Sequence, residues 1–154
     1  MESIRTPGVN IERIVAHLRG TRPGPMVICV SSLHGNEPAG EIAFQRVAAT
    51  LEQNQIELRG DVVGVRGNLA AIAAGVRFVD RDLNRLWTEE NVARVQQADP
   101  QTLDTESLEL RALLAMFIQL EAGARGPLIA LDFHTTSAPS APFCVVSDTL
   151  ANRG

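Results

Sequence analysis

Met26-Val27-Ile28-Cys29-Val30, succeeded shortly by His34-Gly35-Asn36-Glu37-Pro38, is the stretch on which the reading of the fold turns. The five apolar residues form a short unbroken run after the turn cluster Arg22-Pro23-Gly24-Pro25, which reads as a buried strand entered from a turn. Residues 34–38 read as a strand-to-helix turn. Gly35 permits a backbone conformation closed to other residues, Asn36 is a good N-cap, and Pro38 suits a first helical turn, where its missing N–H would have had no partner. Glu37 then begins a helix running to about Gln53, with Ile42, Ala43, Val47 and Leu51 as the stripe that packs on a sheet.

Working outward, Val62-Val63-Gly64-Val65 reads as a second strand, and Gly67-Asn68 opens a loop at the same edge as His34. Ala70 to Ala74 reads as a helical turn ended by Gly75, and Asp99-Pro100-Gln101 as a turn. Leu108, Leu110, Leu113, Leu114, Phe117, Ile118 and Leu120 lie at helical spacing, predicting a helix from about Asp104 to Ala122 with Gly123 as its stop. Pro127 to Phe133 reads as a further buried strand with His134 at its end, and Pro142-Phe143-Cys144-Val145-Val146 as a last strand. Upstream, the apolar spacing from Asn10 through Ala16 predicts a helix closed by Arg19-Gly20, with His17 as a partly exposed helical residue. Alternating strands and helices predict an α/β fold with a mostly parallel or mixed central sheet flanked by helices.

Composition narrows the function classes. The chain has 154 residues, enough for about one domain with a real core, and 45% of them are hydrophobic against 21% charged. Fourteen basic against eighteen acidic residues give a net charge of -4, unlike the clustered basic footprint of a nucleic-acid binder. Aromatic content is 4% with no tyrosine, too sparse for a base-stacking platform. The N-terminal residues lack a secretory pattern and no apolar run reaches membrane-spanning length, so a cytoplasmic setting is expected. Cys29 and Cys144 lie in apolar runs without CxxC spacing and read as small core residues.

The histidines carry the chemistry. A lone histidine is more often a hydrogen-bonded loop residue than a ligand. Here His34 and His134 each come just after a predicted strand, and ligands of open α/β sheets bind in the crevice outside the carboxyl ends of parallel strands. With Glu37 they supply the donor set of a His2Glu catalytic zinc site, which leaves a position for water. Between them runs Val76-Arg77-Phe78-Val79-Asp80-Arg81-Asp82-Leu83-Asn84-Arg85, which by composition alone reads as a solvated surface segment.

With HGNE, RFVDRDLNR and DFHTT in this order, the sequence resembles the succinylglutamate desuccinylase/aspartoacylase family, itself related to the zinc carboxypeptidases, over about Met26 to Pro142. The resemblance implies that His34, Glu37 and His134 hold Zn2+, that Arg77 helps polarise the scissile carbonyl, and that Asn84 and Arg85 bind the substrate carboxylate. A guanidinium fork suits a carboxylate on physical grounds as well. Asp82 is expected to hold the arginine-rich loop in shape, and Asp132 to support a ligand from behind. The reaction implied is metal-assisted hydrolysis of an N-acyl amino acid, a small-molecule substrate, to a carboxylic acid and a free amino acid.

One departure stands out. The family's general base is a glutamate well beyond the second histidine, whereas here only Asp148 is acidic after His134. Residues 1–154 are therefore expected to form a zinc-hydrolase-like α/β domain that is incomplete at its C-terminus, with the base beyond Gly154. Three other readings stay open: a metal-binding fragment or non-catalytic binding module, a metallocarboxypeptidase, and a non-haem iron site. The last uses the same donor set, but those triads usually sit on all-β scaffolds.

Overall fold

The computed structural model describes residues 13–136 and 138–146. Its centre is a four-stranded sheet of order β1-β3-β2-β4, built from β1 (Ile14–Arg19), β2 (Arg22–Ser31), β3 (Arg59–Arg66) and β4 (Leu128–Phe133). β2 pairs in parallel with both β3 and β4, while β1 runs antiparallel to β3 at the far edge. The mixed sheet flanked by helices is the predicted fold class.

Strand parity divides the core. Met26, Ile28 and Val30 of β2 join Val63 and Val65 of β3 against Leu110, Leu113, Met116 and Leu120 of α4 (Thr105–Gly123). The alternate residues, Val27 and Cys29 with Val62 and Leu18, meet Phe44 and Ala48 of α1 (Ala39–Gln53) on the other face. Gly64 belongs to this second layer: a Cβ there would stand 2.2 Å from the Phe44 ring, so the close approach of α1 to β3 depends on its absence. Two further helices, α2 (Leu69–Ala74) and α3 (Glu89–Gln97), and a 3-10 turn at Leu83–Arg85 lie between β3 and α4.

Several expectations are corrected. The segment read as a helix before Gly20 is β1, with His17 on an edge strand; Asn10 to Glu12 lie outside the described residues. Alternation of Ile14, Ala16 and Leu18 satisfies a strand as well as a short helix, and pairing with β3 decides the matter. Arg22 to Pro25 belong to β2, across a register irregularity with β3, and are not a turn. α1 starts at Ala39 with Pro38 at its N-cap, so neither Asn36 nor Glu37 plays the expected part in the helix. Its buried face is Phe44 and Ala48, whereas Ile42 and Val47 are exposed. α4 likewise buries Leu110, Leu113, Met116 and Leu120 and exposes Leu108 and Ile118.

β4 is not a buried strand. Among the described residues it is an edge of the sheet, and Leu128, Ile129 and Leu131 are 40%, 45% and 41% exposed. Pro142 to Val146 form no strand, and Cys144 is exposed while Cys29 is buried; both thiols are free. No helix among the described residues is long and apolar enough to cross a membrane.

Candidate metal centre

The site lies where β2 and β4 end. Beyond Ser31 the chain turns through Ser32, which holds a left-handed φ of 55°. That conformation is costly for a residue with a Cβ, and it is held by Asn68 N–H donating to the Ser32 carbonyl at 2.9 Å and by Ser32 Oγ donating to the Glu37 carbonyl at 3.2 Å. Gly35 does not use a left-handed conformation. Its role is close approach, since a Cβ would fall 2.2 Å from the Ala71 carbonyl carbon of α2. The turn is therefore wedged against α2, and His34 and Glu37 are buried at 3% and 8% exposure.

His134 comes directly after β4 and meets this pair from the other strand. His34 Nδ1 is 2.9 Å from Glu37 Oε1, and His134 Nδ1 is 3.3 Å from Glu37 Oε2. One donor atom from each of the three residues lies within 4.8 Å of the others. Donors bound to zinc at about 2.0–2.1 Å in a tetrahedral arrangement stand roughly 3.3 Å from one another, so the two imidazole–carboxylate spacings suit such an ion, and the widest separation in the set, within 4.8 Å, would close on binding. The imidazole planes are tilted by 53° with centroids 4.9 Å apart.

Each imidazole turns its other nitrogen to a carboxylate. His34 Nε2 is 3.0 Å from Asp82 Oδ1, and His134 Nε2 is 2.7 Å from Asp132 Oδ2. A carboxylate behind a histidine fixes its ring and tautomer and makes the inner nitrogen a better ligand. Asp82 also accepts the Asn84 N–H at 3.0 Å, so it supports a ring as well as shaping its loop.

Electrostatics favour a charged Glu37. Burial opposes its ionisation, but the Thr135 N–H at 2.8 Å and the facing imidazoles outweigh it and hold the carboxyl below the ordinary glutamate range. Asp82 is lowered too: burial is overcome by the hydrogen bond and charge of His34, the Asn84 N–H and the charge of Arg77. Crowding by protein raises the Asp132 carboxyl against the pull of His134, even though 38% of its side chain is exposed.

Arg77 reaches the cluster, with Nη1 donating to Glu37 Oε1 at 3.2 Å and Nη2 3.7 Å from Asp82 Oδ2, and half of its side chain is open to the crevice. Asn84 Nδ2 comes to 3.4 Å from His134 Nε2. Arg85 is exposed on the 3-10 turn; its N–H donates to the Asp82 carbonyl at 3.0 Å, and its guanidinium, among the described residues, makes no hydrogen bond or ion pair. Five of the six residues singled out from the sequence, His34, Glu37, His134, Arg77 and Asn84, thus meet through direct contacts, and Arg85 is the exposed neighbour of Asn84 on the 3-10 turn. Sequence reading passed over Glu106, whose buried carboxylate holds the Arg77 loop from below. Its only signal was an acidic residue in the first turn of an apolar helix, which is usually a solvated charge near a helix dipole.

Fold and site define a class: α/β proteins that gather two imidazoles and a carboxylate at the carboxyl ends of parallel strands. The succinylglutamate desuccinylase/aspartoacylase catalytic-domain family matches residues 23–151, and the chain belongs to that family. A probable aspartoacylase from Prochlorococcus marinus (strain NATL2A) is 33% identical over 123 residues, covering 78% of this chain and 36% of the relative. A succinylglutamate desuccinylase from Burkholderia pseudomallei (strain 1710b) is 28% identical over 109 residues, covering 71% of this chain and 30% of its own length. The crystal structure of the succinylglutamate desuccinylase from Chromobacterium violaceum superposes with a TM-score of 0.57 at 26% identity, over 73% of this chain and 33% of that one. The Vibrio cholerae enzyme, at 20% identity and a TM-score of 0.51 over 69% of this chain and 29% of its own, shows the shared fold. The chain spans about a third of the length of the relatives it matches.

Proposed function

We propose that this chain provides the zinc-binding and carboxylate-binding part of a hydrolase that cleaves the amide of an N-acyl amino acid. The observation that carries the reading is the meeting of His34, Glu37 and His134 from two strand ends, with an aspartate behind each imidazole. It is supported by the names of the relatives, a desuccinylase and an aspartoacylase. When bound, Zn2+ would supply Lewis acidity, polarising the acyl carbonyl and lowering the pKa of a water toward neutrality.

The protein's own residues do the rest. Asp82 and Asp132 can hold a proton on each outer imidazole nitrogen, so that with an ion in place each Nδ1 would turn a lone pair to it. Arg77 holds a guanidinium beside Glu37, where it can donate to an oxygen that gains negative charge as the carbonyl is attacked. The guanidinium of Arg85, without an internal partner among the described residues, offers its fork to the substrate carboxylate, and Asn84 adds a neutral donor next to it.

A second reading has an observation of its own. Among the described residues, the carboxylates of the cluster are all engaged, Asp82 by His34, Asp132 by His134 and Glu37 by both, which leaves none of the three free as a general base. On that reading the chain alone binds metal and substrate without turnover. One experiment addresses both. The chain is purified without added metal, its metal is quantified, and hydrolysis of N-succinylglutamate and of N-acylaspartates is followed by release of the free amino acid. Stoichiometric zinc with hydrolysis supports the deacylase, and zinc without hydrolysis supports the binding module. Absence of zinc affinity, or loading with iron alone, overturns the zinc reading.

A further inference from the structure

We propose, on the basis of the zinc-site reading, that Glu106, which touches neither the ligand cluster nor the crevice, is a positioning residue: it sets the loop that carries Arg77 and Asp82 and thereby tunes the metal site. Glu106 is the second residue of α4 and is 0% exposed. Its Oε1 accepts the Val79 N–H at 2.7 Å and Asn68 Nδ2 at 3.1 Å, and its Oε2 accepts the Asp80 N–H at 2.9 Å and the Arg81 N–H at 3.2 Å. A carboxylate has about four acceptor positions, and these four donors fill them.

The loop has little else to hold it. Val76, Phe78 and Val79 are 39%, 38% and 46% exposed, so no apolar side chain anchors residues 76–81 in the core. The other ties are the Gly35 N–H to the Arg77 carbonyl at 3.2 Å and the Val76 N–H to the Ala71 carbonyl at 3.1 Å at the start of the loop, Arg81 to Asp104 at 2.5 Å and to buried Ser107 Oγ at 2.9 Å, and the Thr105 N–H to Asp80 Oδ2 at 2.9 Å. Glu106 is the one fully buried side chain among these that holds the backbone N–H groups of residues 79–81. Three consecutive N–H groups on one carboxylate fix the path of the chain between Arg77, which donates to Glu37, and Asp82, which supports His34.

The same carboxylate reaches the opposite arm of the site. Asn68, its fourth partner, caps α2 through the Ala71 N–H at 3.0 Å and gives its own N–H to Ser32, in the turn that delivers His34. Glu106 thus joins the HGNE turn to the Arg77 loop through a single buried group. Although burial opposes its charge, the N–H groups of Val79, Asp80 and Arg81 and the Asn68 amide hold it ionised below the usual range. A neutral glutamine keeps the shape but turns an NH2 toward backbone donors.

The test uses the whole chain loaded with Co2+ as a spectroscopic probe. Affinity is measured by chelator competition and ligand geometry by the visible spectrum, in wild type, Glu106→Gln, Asp82→Asn, the double variant and His134→Ala. Glu106→Gln is expected to weaken Co2+ binding about tenfold or more and to alter the spectrum, with the double variant losing little beyond Asp82→Asn alone. Wild-type affinity and spectrum in Glu106→Gln, or losses that simply multiply, overturn the proposal. Failure of wild type to bind Co2+, or binding unaffected by His134→Ala, overturns the metal-site reading instead. Amide exchange in the wild type tests the clamp without any metal or variant, and so also serves if Glu106→Gln does not fold. The N–H groups of Val79, Asp80 and Arg81 are expected to exchange slowly despite their exposed loop, and exchange at unprotected rates overturns the clamp.

Discussion

At the level of single residues, the site is a set of imidazoles fixed from behind. Without the charge of Asp82 or Asp132, an imidazole keeps its place but loses part of its basicity and its preferred tautomer. Asp82→Asn and Asp132→Asn are each expected to weaken zinc binding about 10–100-fold, as read by competition with a chromophoric chelator. Unchanged affinity in both would mean that the aspartates do not support the rings. Arg85 offers a separate prediction because, among the described residues, its guanidinium has no internal partner to lose. Arg85→Ala is expected to weaken binding of an N-acyl amino acid about tenfold to a hundredfold, the worth of a hydrogen bond to a charged group, while leaving zinc affinity unchanged. Calorimetric titration of the metal-free chain with zinc and of the zinc-loaded chain with substrate reads the two quantities, and equal substrate affinity in the variant would remove Arg85 from the carboxylate site.

At the level of elements, a buried charge couples the strands away from the site. Asp61 of β3, 3% exposed, accepts from Arg125 Nη2 at 2.6 Å just before β4 and from the Gly20 N–H at 3.3 Å between β1 and β2, with His17 Nε2 3.5 Å away. Burial opposes its charge, but Arg125, the Gly20 N–H and His17 prevail, so the carboxyl is lowered. A lowered folded pKa contributes stability that is present above the unfolded value of about 3.9 and lost as pH falls through the folded value. Urea unfolding at about pH 7 and about pH 3 should therefore show Asp61→Asn less stable than wild type at the higher pH and losing less on acidification. Parallel pH dependence in the two proteins would contradict this. The same elements show what the sequence could tell. β2, the body of α1 and α4 were legible because apolar runs and helical periodicity survive in them. β1 was misread because Ile14, Ala16 and Leu18 fit two periods, and only the pairing with β3 separates them. Glu106 and Glu109 were invisible as core residues: their burial depends on Asn68, on the Ala70 N–H and on Arg13, partners distant in sequence. The convergence of His34, Glu37 and His134 was legible because motif order, unlike burial, does not depend on which distant segment comes to lie against them.

At the level of the whole molecule, the cluster joins two parts of unequal security. His34 and Glu37 stand on the buried turn after β2, in the middle of the sheet, whereas His134 stands just past β4, an edge strand whose apolar side chains are largely exposed. Strands with few buried contacts open at low free-energy cost, so β4 should be among the first elements to exchange its amides with solvent. An ion held by His34, Glu37 and His134 would bind only when β4 is in place, because one of its three ligands leaves with the strand. Linkage then makes metal a brace for the edge: at a free concentration one hundred times Kd it adds about 2.7 kcal/mol to any opening that disperses the ligands. Zinc is therefore expected to slow amide exchange in β4 by roughly a hundredfold while leaving the outer turns of α3, which carry no ligand, unchanged. Chelation should reverse the effect, and His134→Ala should abolish it. Equal β4 exchange with and without zinc, in a chain shown to bind it, would mean that the ion sits elsewhere and that the two strand ends do not share it.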